Sequence, residues 1–245
     1  MTKKSEKSMI LALETSGRAG SVALGRGDEI ISEKFFSAPM RHNAELFETI
    51  TELLTKSDSK PSEIAEIYIS IGPGSFTGIR ISVTLAKMMA LSKNVKIAAV
   101  RTTEALAENA QSFVSEQKLG TRRIATIIDA KRSYFFTALF EKNGDEWVKT
   151  IDDTLIKASD FVERFAGSDD PLWLLGEGLL YYRDKFAAEG IKVMDEQYWA
   201  GRASGIYRVG RKMAKSGNYI SPKELSPLYL RKTDAEESVF SSGRA

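Results

Sequence analysis

One order of elements occurs twice in this chain of 245 residues, and few architectures accommodate such a repeat. In the first copy, Met9 to Glu14 (M-I-L-A-L-E) reads as a buried strand, Ser21 to Leu24 as a second and Glu29 to Ser37 as a third, with turns at Gly17 to Gly20 and Gly25 to Asp28. Asn43 to Lys56 follows as a helix with Leu46, Phe47, Ile50, Leu53 and Leu54 at helical spacing, Asn43 as its cap and Glu45 at its positive end. A strand from Ile67 to Ile71, a helix from Thr77 to Leu91, a strand from Lys96 to Val100 and a helix from Thr103 to Glu116 complete the copy. The order then restarts. Arg123 to Asp129 is an apolar strand ending in an acid, and Ser133 to Phe140 is a second strand. Glu14 and Asp129 lie 115 residues apart, and the same offset lays Ala23-Leu24 on Ala138-Leu139. Both copies reach a G-D-E turn, Gly27-Asp28-Glu29 and Gly144-Asp145-Glu146, and then a third strand. A helix near Ala158 to Phe165 and a strand from Leu172 to Leu175 follow, the latter ending in Gly176-Glu177-Gly178, the counterpart of Gly72-Pro73-Gly74. Two such copies imply an α/β protein of two lobes, each a mixed sheet flanked by helices, with a cleft between them.

The glycine joint at Gly72 to Gly74 leads from a strand into a helix, an arrangement in which backbone N–H groups favour an anion. The letters are not those of a known phosphate loop: the Lys and second Gly of a Walker motif are missing, and Thr77 stands where a dinucleotide fingerprint needs Gly. The joint therefore reads either as an anion site or as a turn that docks its helix on the sheet. The helix carries two stripes. Gly78, Ser82, Ala86 and Ala90 leave one face almost bare, open to the close approach of another helix from this chain or from a partner. Ile81, Leu85 and Met88 or Met89 form a second stripe suited to burial on the sheet.

Composition removes several classes of mechanism. The formal charge is +2, and Lys3, Lys4 and Lys7 against Glu6 account for it, so the body is neutral and unlike a stand-alone nucleic-acid binder. There is no cysteine, hence no disulfide or thiolate, and with the single His42 neither a two-histidine metal site nor a triad with an independent histidine can be built. Neither an apolar run of membrane-spanning length nor a signal-peptide core is present, so a cytoplasmic protein is expected.

Individual residues carry paired readings. Ser75 and Thr77 are either phosphate ligands or helix caps, and Arg80 either meets an acid on a partner helix or is solvated. Glu14 and Asp129 either face one another across the cleft as base and metal holder, or each closes its strand and ties down its turn. His42 either titrates near neutrality or assists helix entry. The charged turn of Asp129, Lys131 and Arg132 either meets a partner protein or RNA or is solvated, and the basic helix of Arg202, Arg208, Arg211, Lys212 and Lys215 either meets phosphates or is a solvated back.

The plan of the two copies resembles the actin-like ATPase domain (ASKHA, RNase H-like), in which the turns after Glu14 and Asp129 face the cleft where relatives hold nucleotide phosphates. Lobes of 9–103, with a returning helix at about 202–216, and of 104–200 are expected, with flexible tails at 1–8 and 233–245. More specifically, L-A-L-E-T-S, G-P-G-S-F-T-G-I-R-I-S-V-T-L-A-K at Gly72 to Lys87, D-A-K-R-S-Y at Asp129 to Tyr134 and P-L-Y-L-R at Pro227 to Arg231 resemble the TsaB (YeaZ) family over nearly the whole chain. That family usually has Asp where Glu14 stands. The resemblance implies a non-catalytic subunit that pairs with the paralogous TsaD enzyme and with the TsaE ATPase, for N6-threonylcarbamoylation of adenosine 37 in tRNAs reading ANN codons. TsaD carries an H-x-x-x-H metal motif that one histidine cannot supply. Pairing in the family uses the first two helices, which implies an interface here at Leu46, Ile50, Gly78, Arg80, Ser82, Ala86, Met89 and Ala90, with self-association as a homodimer when the partner is absent. tRNA is reached through the complex. No catalytic or metal residue is implied, and ATP or ADP and metal belong to partner subunits or their interface. Glu14, Thr15, Gly72, Gly74 and Asp129 are the candidates for any cofactor contact. The alternative function is an actin-fold phosphotransferase acting on a sugar-like alcohol.

Overall fold

The structure is a computed structural model and describes residues 8–37, 42–117 and 122–231. Its centre is β1 (Met9–Glu14), whose six residues are all buried, as a continuous apolar run buried on both faces should be. Strand β2 (Ser21–Arg26) pairs with it antiparallel and β3 (Glu29–Phe35) pairs antiparallel with β2. On the other side β4 (Ile64–Ser70) and β5 (Lys96–Val100) add in parallel, giving the order β3-β2-β1-β4-β5. Helices α1 (His42–Lys56) and α2 (Phe76–Lys93) cover the face to which Met9, Leu11 and Leu13 point. The opposite face, with Ile10 and Ala12, is covered by α3 (Thr102–Ala107) and α7 (Ala203–Lys215), whose Ala203, Ile206 and Tyr207 are buried.

The second sheet repeats this plan. Strand β6 (Arg123–Thr126) and the short β7 (Ile128–Asp129) continue one line along β8 (Tyr134–Asn143), and β9 (Glu146–Lys157) pairs outside β8. In parallel on the other side lie β10 (Leu172–Leu175) and β11 (Ile191–Val193). Helix α4 (Asn109–Gln117), α5 (Ala158–Phe165) and the four-residue α6 (Leu179–Tyr182) complete the elements, around a core containing Phe135, Phe140, Phe161 and Phe186. Both sheets thus run antiparallel, antiparallel, parallel, parallel, which is the duplicated actin-like arrangement.

Several details differ from the sequence reading. The expected helix from Thr103 to Glu116 is two helices, α3 and α4, and the expected strand from Arg123 to Asp129 is broken into β6 and β7. Leu24 sits opposite Leu11, but Leu139 sits opposite Ala125, so a constant offset of 115 fails by one residue across the hairpin. The turn between the paired strands is one residue shorter in the second copy: Glu14 pairs with Ser21, Asp129 with Phe135. A one-residue slip exchanges the faces of a strand, so Ala138-Leu139 is not the register equivalent of Ala23-Leu24. Helix α1 begins at His42, one residue ahead of the expected cap Asn43, and the side chains of both lie outside the described residues, as do residues 1–7 and 232–245 of the two tails.

Helix α7 seats on the first sheet through Gly210. A Cβ there would lie 2.6 Å from Cγ of Tyr68, a fully buried ring that also meets Tyr207 edge-on at 5.9 Å. Alanine would gain about 1 kcal/mol in helix propensity, but the overpacked ring has nowhere to move. We expect Gly210→Ala to lower unfolding stability by about 1–3 kcal/mol, read from thermal or denaturant melts; unchanged or raised stability would contradict this packing.

Candidate functional site

Two concave surfaces stand out, and both involve the start of α2. The first is the cleft between the sheets, about 320 Å³, lined by residues 16–18, 74–77 and 128–131 together with Phe136, Glu177, Tyr181 and Arg231. Its first wall is the turn after β1. Ser75 N donates to Ser16 O at 2.7 Å, and a Cβ on Gly74 would lie 2.5 Å from that oxygen, with φ at +155°, so only glycine fits. Ser75 then caps α2, its Oγ accepting from Gly78 N at 3.3 Å, and Thr15 Oγ1 donates to Gly78 O at 2.8 Å. Of the two readings for Ser75, the cap is the one made.

Glu14 does not line the cleft. It is fully buried beneath the turn, with Oε1 accepting from Ser16 N at 2.6 Å, from Ser16 Oγ at 2.5 Å and from Ser70 Oγ at 3.3 Å. Its Oε2 has no hydrogen-bond partner. Burial pushes the carboxyl up to about 7 against the lowering effect of the Ser16 bonds, and the charge of Glu177 pushes the same way as burial. A carboxyl that is neutral for part of the physiological range accounts for an orphaned oxygen that a full charge would not tolerate. Asp129 lies in the cleft wall, half-buried, with Oδ1 accepting from Lys131 N at 2.8 Å and Oδ2 facing Lys131 Nζ at 3.1 Å. Each acid therefore ties down its own turn, the second of the two readings: Glu14 is roofed over, Asp129 is wall, and the two do not face one another across the cleft. Of the cofactor candidates, Gly74 and Asp129 line the cleft; Thr15 is buried with Glu14, and Gly72 is covered by Leu228 O. Among the described residues no group of three or more His, Cys, Asp or Glu is placed to hold a metal ion.

The second surface is a groove of about 380 Å³ on the outer side of α1 and α2, lined by Leu46, Phe47, Thr77, Arg80, Ile81, Thr84, Leu85 and Met88. Phe47 is 64% exposed, Met88 62% and, just beyond, Leu91 77%. The two stripes of α2 face opposite ways from the sequence expectation. Gly78, Ser82, Ala86 and Ala90 are buried on the chain's own sheet, with Ser82 Oγ donating to Ser70 O at 3.2 Å, while Met88 is exposed and Ile81 and Leu85, half-buried against the same core, line the groove on the outer side. Small residues do permit a close approach here, but what approaches is β4. Gly78, Ser82, Ala86 and Ala90 therefore lie inside rather than on the outer surface, where Phe47, Thr84 and Met88 are exposed; Leu46 is itself buried but lines the groove, and Ile50 and Met89 are half-buried against the core. Arg80 also serves this chain: its Nε donates to Tyr229 OH at 2.8 Å, with the guanidinium 5.7 Å from that ring.

Three charges of the basic helix are likewise spent internally. Arg211 and Lys215 meet Asp28 at 3.0 and 2.9 Å, and Lys212 meets Glu108 and Glu146 at 3.2 and 3.3 Å. The groups missed by sequence reasoning are Glu177, Tyr181, Arg18 and Arg231 in the cleft and Phe47 with Thr84 in the groove. Glu177 carried a signal, standing between two glycines at the second joint, as did Arg231 at the end of P-L-Y-L-R and Phe47 in the helical spacing of α1.

Comparison with known proteins bears on the family and the fold. The protein-family model of TsaD, tRNA N6-adenosine threonylcarbamoyltransferase, matches residues 36–216. The chain is 32% identical over 167 residues to the tRNA threonylcarbamoyladenosine biosynthesis protein TsaB of Bacillus subtilis (strain 168), covering 68% of this chain and 70% of that one. It is 25% identical over 223 residues to the protein of the same name from Escherichia coli (strain K12), covering 91% and 94%. In fold it is similar to YeaZ from Pseudomonas aeruginosa, with a TM-score of 0.76 at 23% identity over 91% of this chain and 100% of that one.

The buried Glu14 has a pH signature. Its folded pKa, about 7, lies above the ordinary value near 4.5, so folding retains a proton that the unfolded chain releases. Stability from this group is complete below about pH 4.5 and is lost as pH rises through about 7. Glu14→Gln should flatten that fall, worth on the order of 3 kcal/mol between the two limits, in denaturant melts across the range. Parallel profiles for wild type and variant would contradict it.

Proposed function

As the chain belongs to the TsaB (YeaZ) family, we propose that it acts as a non-catalytic scaffold subunit in tRNA threonylcarbamoyladenosine biosynthesis, pairing through α1 and α2 with a TsaD-type paralogue. The pair then offers a platform to a TsaE-type ATPase, and the assembly serves N6-threonylcarbamoylation of adenosine 37 in tRNAs reading ANN codons. tRNA is met through the complex. ATP or ADP and metal belong to the partner subunits or to the interface with them.

The observation that carries this reading is the groove. Phe47, Met88 and Leu91 are the most exposed aliphatic and phenylalanine side chains among the described residues and stand on adjoining helices around an apolar hollow, and such a patch marks a place where another protein sits. A paralogue with the same lobe plan carries the same pair of helices, so the two surfaces meet as near-equivalents; without it, a second copy of this chain meets the face instead. Arg80, held over Tyr229, supplies a charge at the rim.

The phosphotransferase alternative fits less well. It needs carboxylates that face the transferred group and its metal, and Glu14 lies roofed beneath the turn rather than in the cleft.

Charge placed in the groove should break the pairing without harming the fold. We expect Phe47→Asp and Met88→Asp to weaken association with the TsaD-type protein of the same organism by about thirtyfold or more, the scale of an interface hot spot, with melting temperature unchanged. Ser82→Phe, on the inner stripe, should instead lower the melting temperature. Wild-type association that is absent under every nucleotide condition, or that survives both aspartates, would overturn the reading.

A further inference from the structure

One of the contacts that join the two lobes, across the cleft, is unusual in its chemistry. Glu177, in the second lobe, accepts from Arg18 N at 2.6 Å through Oε2 and from Ala19 N at 3.2 Å through Oε1. Successive backbone N–H groups of a turn form an anion-binding concavity, and a carboxylate that takes two of them makes charge-assisted bonds. The approach depends on Gly17, where a Cβ would lie 2.8 Å from Oε2. Glu177 itself stands on a stiff base, because Gly178 N donates to Ile127 O at 2.9 Å and Ile127 N donates to Leu175 O at 2.8 Å. Arg18 adds a second bond across the same gap, its guanidinium 5.2 Å from the centre of the Tyr181 ring.

We propose that Glu177 is an internal anion that fills the backbone anion site of residues 17–19, latches the second lobe onto the first and keeps phosphoryl ligands out of the cleft until it is withdrawn. The site is otherwise suited to such a ligand: the N-terminal end of α2 opens onto the cleft, and Arg18, Lys131 and Arg231 line it. Competition decides the outcome. A tethered carboxylate acts at an effective concentration of roughly millimolar or above, so a free phosphate compound must bind more tightly than that to displace it. The inference is independent of the partner reading, since it concerns the cleft of the isolated chain.

The test uses the full chain as wild type, Glu177→Gln and Glu177→Ala, with inorganic pyrophosphate as the probe. In Glu177→Ala the amides of Arg18 and Ala19 should exchange hydrogen about tenfold faster or more, the scale of one charge-assisted bond. By calorimetry pyrophosphate should bind Glu177→Ala at least about tenfold more tightly than wild type, and its binding should restore the protection of both amides. Glu177→Gln keeps the shape of the side chain and should fall between the two, so that a folding defect in the alanine variant cannot imitate the result. Equal exchange at these amides in all three proteins would overturn the latch. Pyrophosphate binding wild type as tightly as the variants, or binding none of them, would overturn the anion site.

Discussion

The backbone contact between Gly74 and Ser16 fixes the layout of both concave surfaces of this molecule. Because a Cβ on Gly74 would stand 2.5 Å from Ser16 O, the joint after β4 closes directly onto the turn after β1, and Ser75 N completes the contact at 2.7 Å. The start of α2 is set by that closure. Ser75 becomes the cap, Gly78 and Ser82 come down on the sheet, and the small stripe continues through Ala86 to Ala90. An α-helix presents one face inward and the other outward, so a stripe of small residues consumed by the sheet leaves Met88 exposed and Ile81 and Leu85 half-buried at the groove wall. The apolar groove is the consequence of how tightly the opposite side is packed.

The same closure roofs over Glu14 and shapes the cleft. Ser16 gives both its N–H and its hydroxyl to the Glu14 carboxyl and receives a bond from Thr102 Oγ1 at 3.0 Å, at the start of the segment leading to the second lobe. Buried carboxylates are costly unless paired, and with Oε2 unpartnered the group answers by holding its proton to about pH 7. Past α7 the chain returns over this region: Leu225 is buried, Leu228 N donates to Ile71 O at 2.7 Å, Tyr229 packs on Phe76 at 4.9 Å, and Arg231 donates to Ala130 O at 2.7 Å. The P-L-Y-L-R stretch is therefore a strap from the glycine joint to the second lobe's turn. Thr77 lines both the cleft and the groove, so the two surfaces share the first turn of α2.

The repeated order of elements was legible because periodicity and turn residues are local signals, and each strand in sequence has its strand in the structure. The cap at Ser75 and the need for Gly74 were legible for the same reason. Three things were not. Helical spacing reveals two stripes on α2 but not which one the sheet takes, and small residues suit a neighbouring sheet as well as a neighbouring helix. The register of the second hairpin depends on one residue in a turn between Asp129 and Phe135, which an offset of identical letters passes over. The bonds from Arg18 and Ala19 to Glu177 join residues about 159 apart, and no local pattern announces such a contact.

A scaffold that works through its outer helix face makes a direct claim about tRNA. The measurement is the nucleoside content of tRNA, by chromatography and mass spectrometry, from cells depleted of this protein and supplied with either the wild-type chain or one carrying both Phe47→Asp and Met88→Asp. The account predicts that threonylcarbamoyl-adenosine disappears on depletion, returns with the wild type and stays absent with the doubly charged variant although that variant accumulates as folded protein. Modification that persists without the chain, or that the charged variant restores in full, would contradict it.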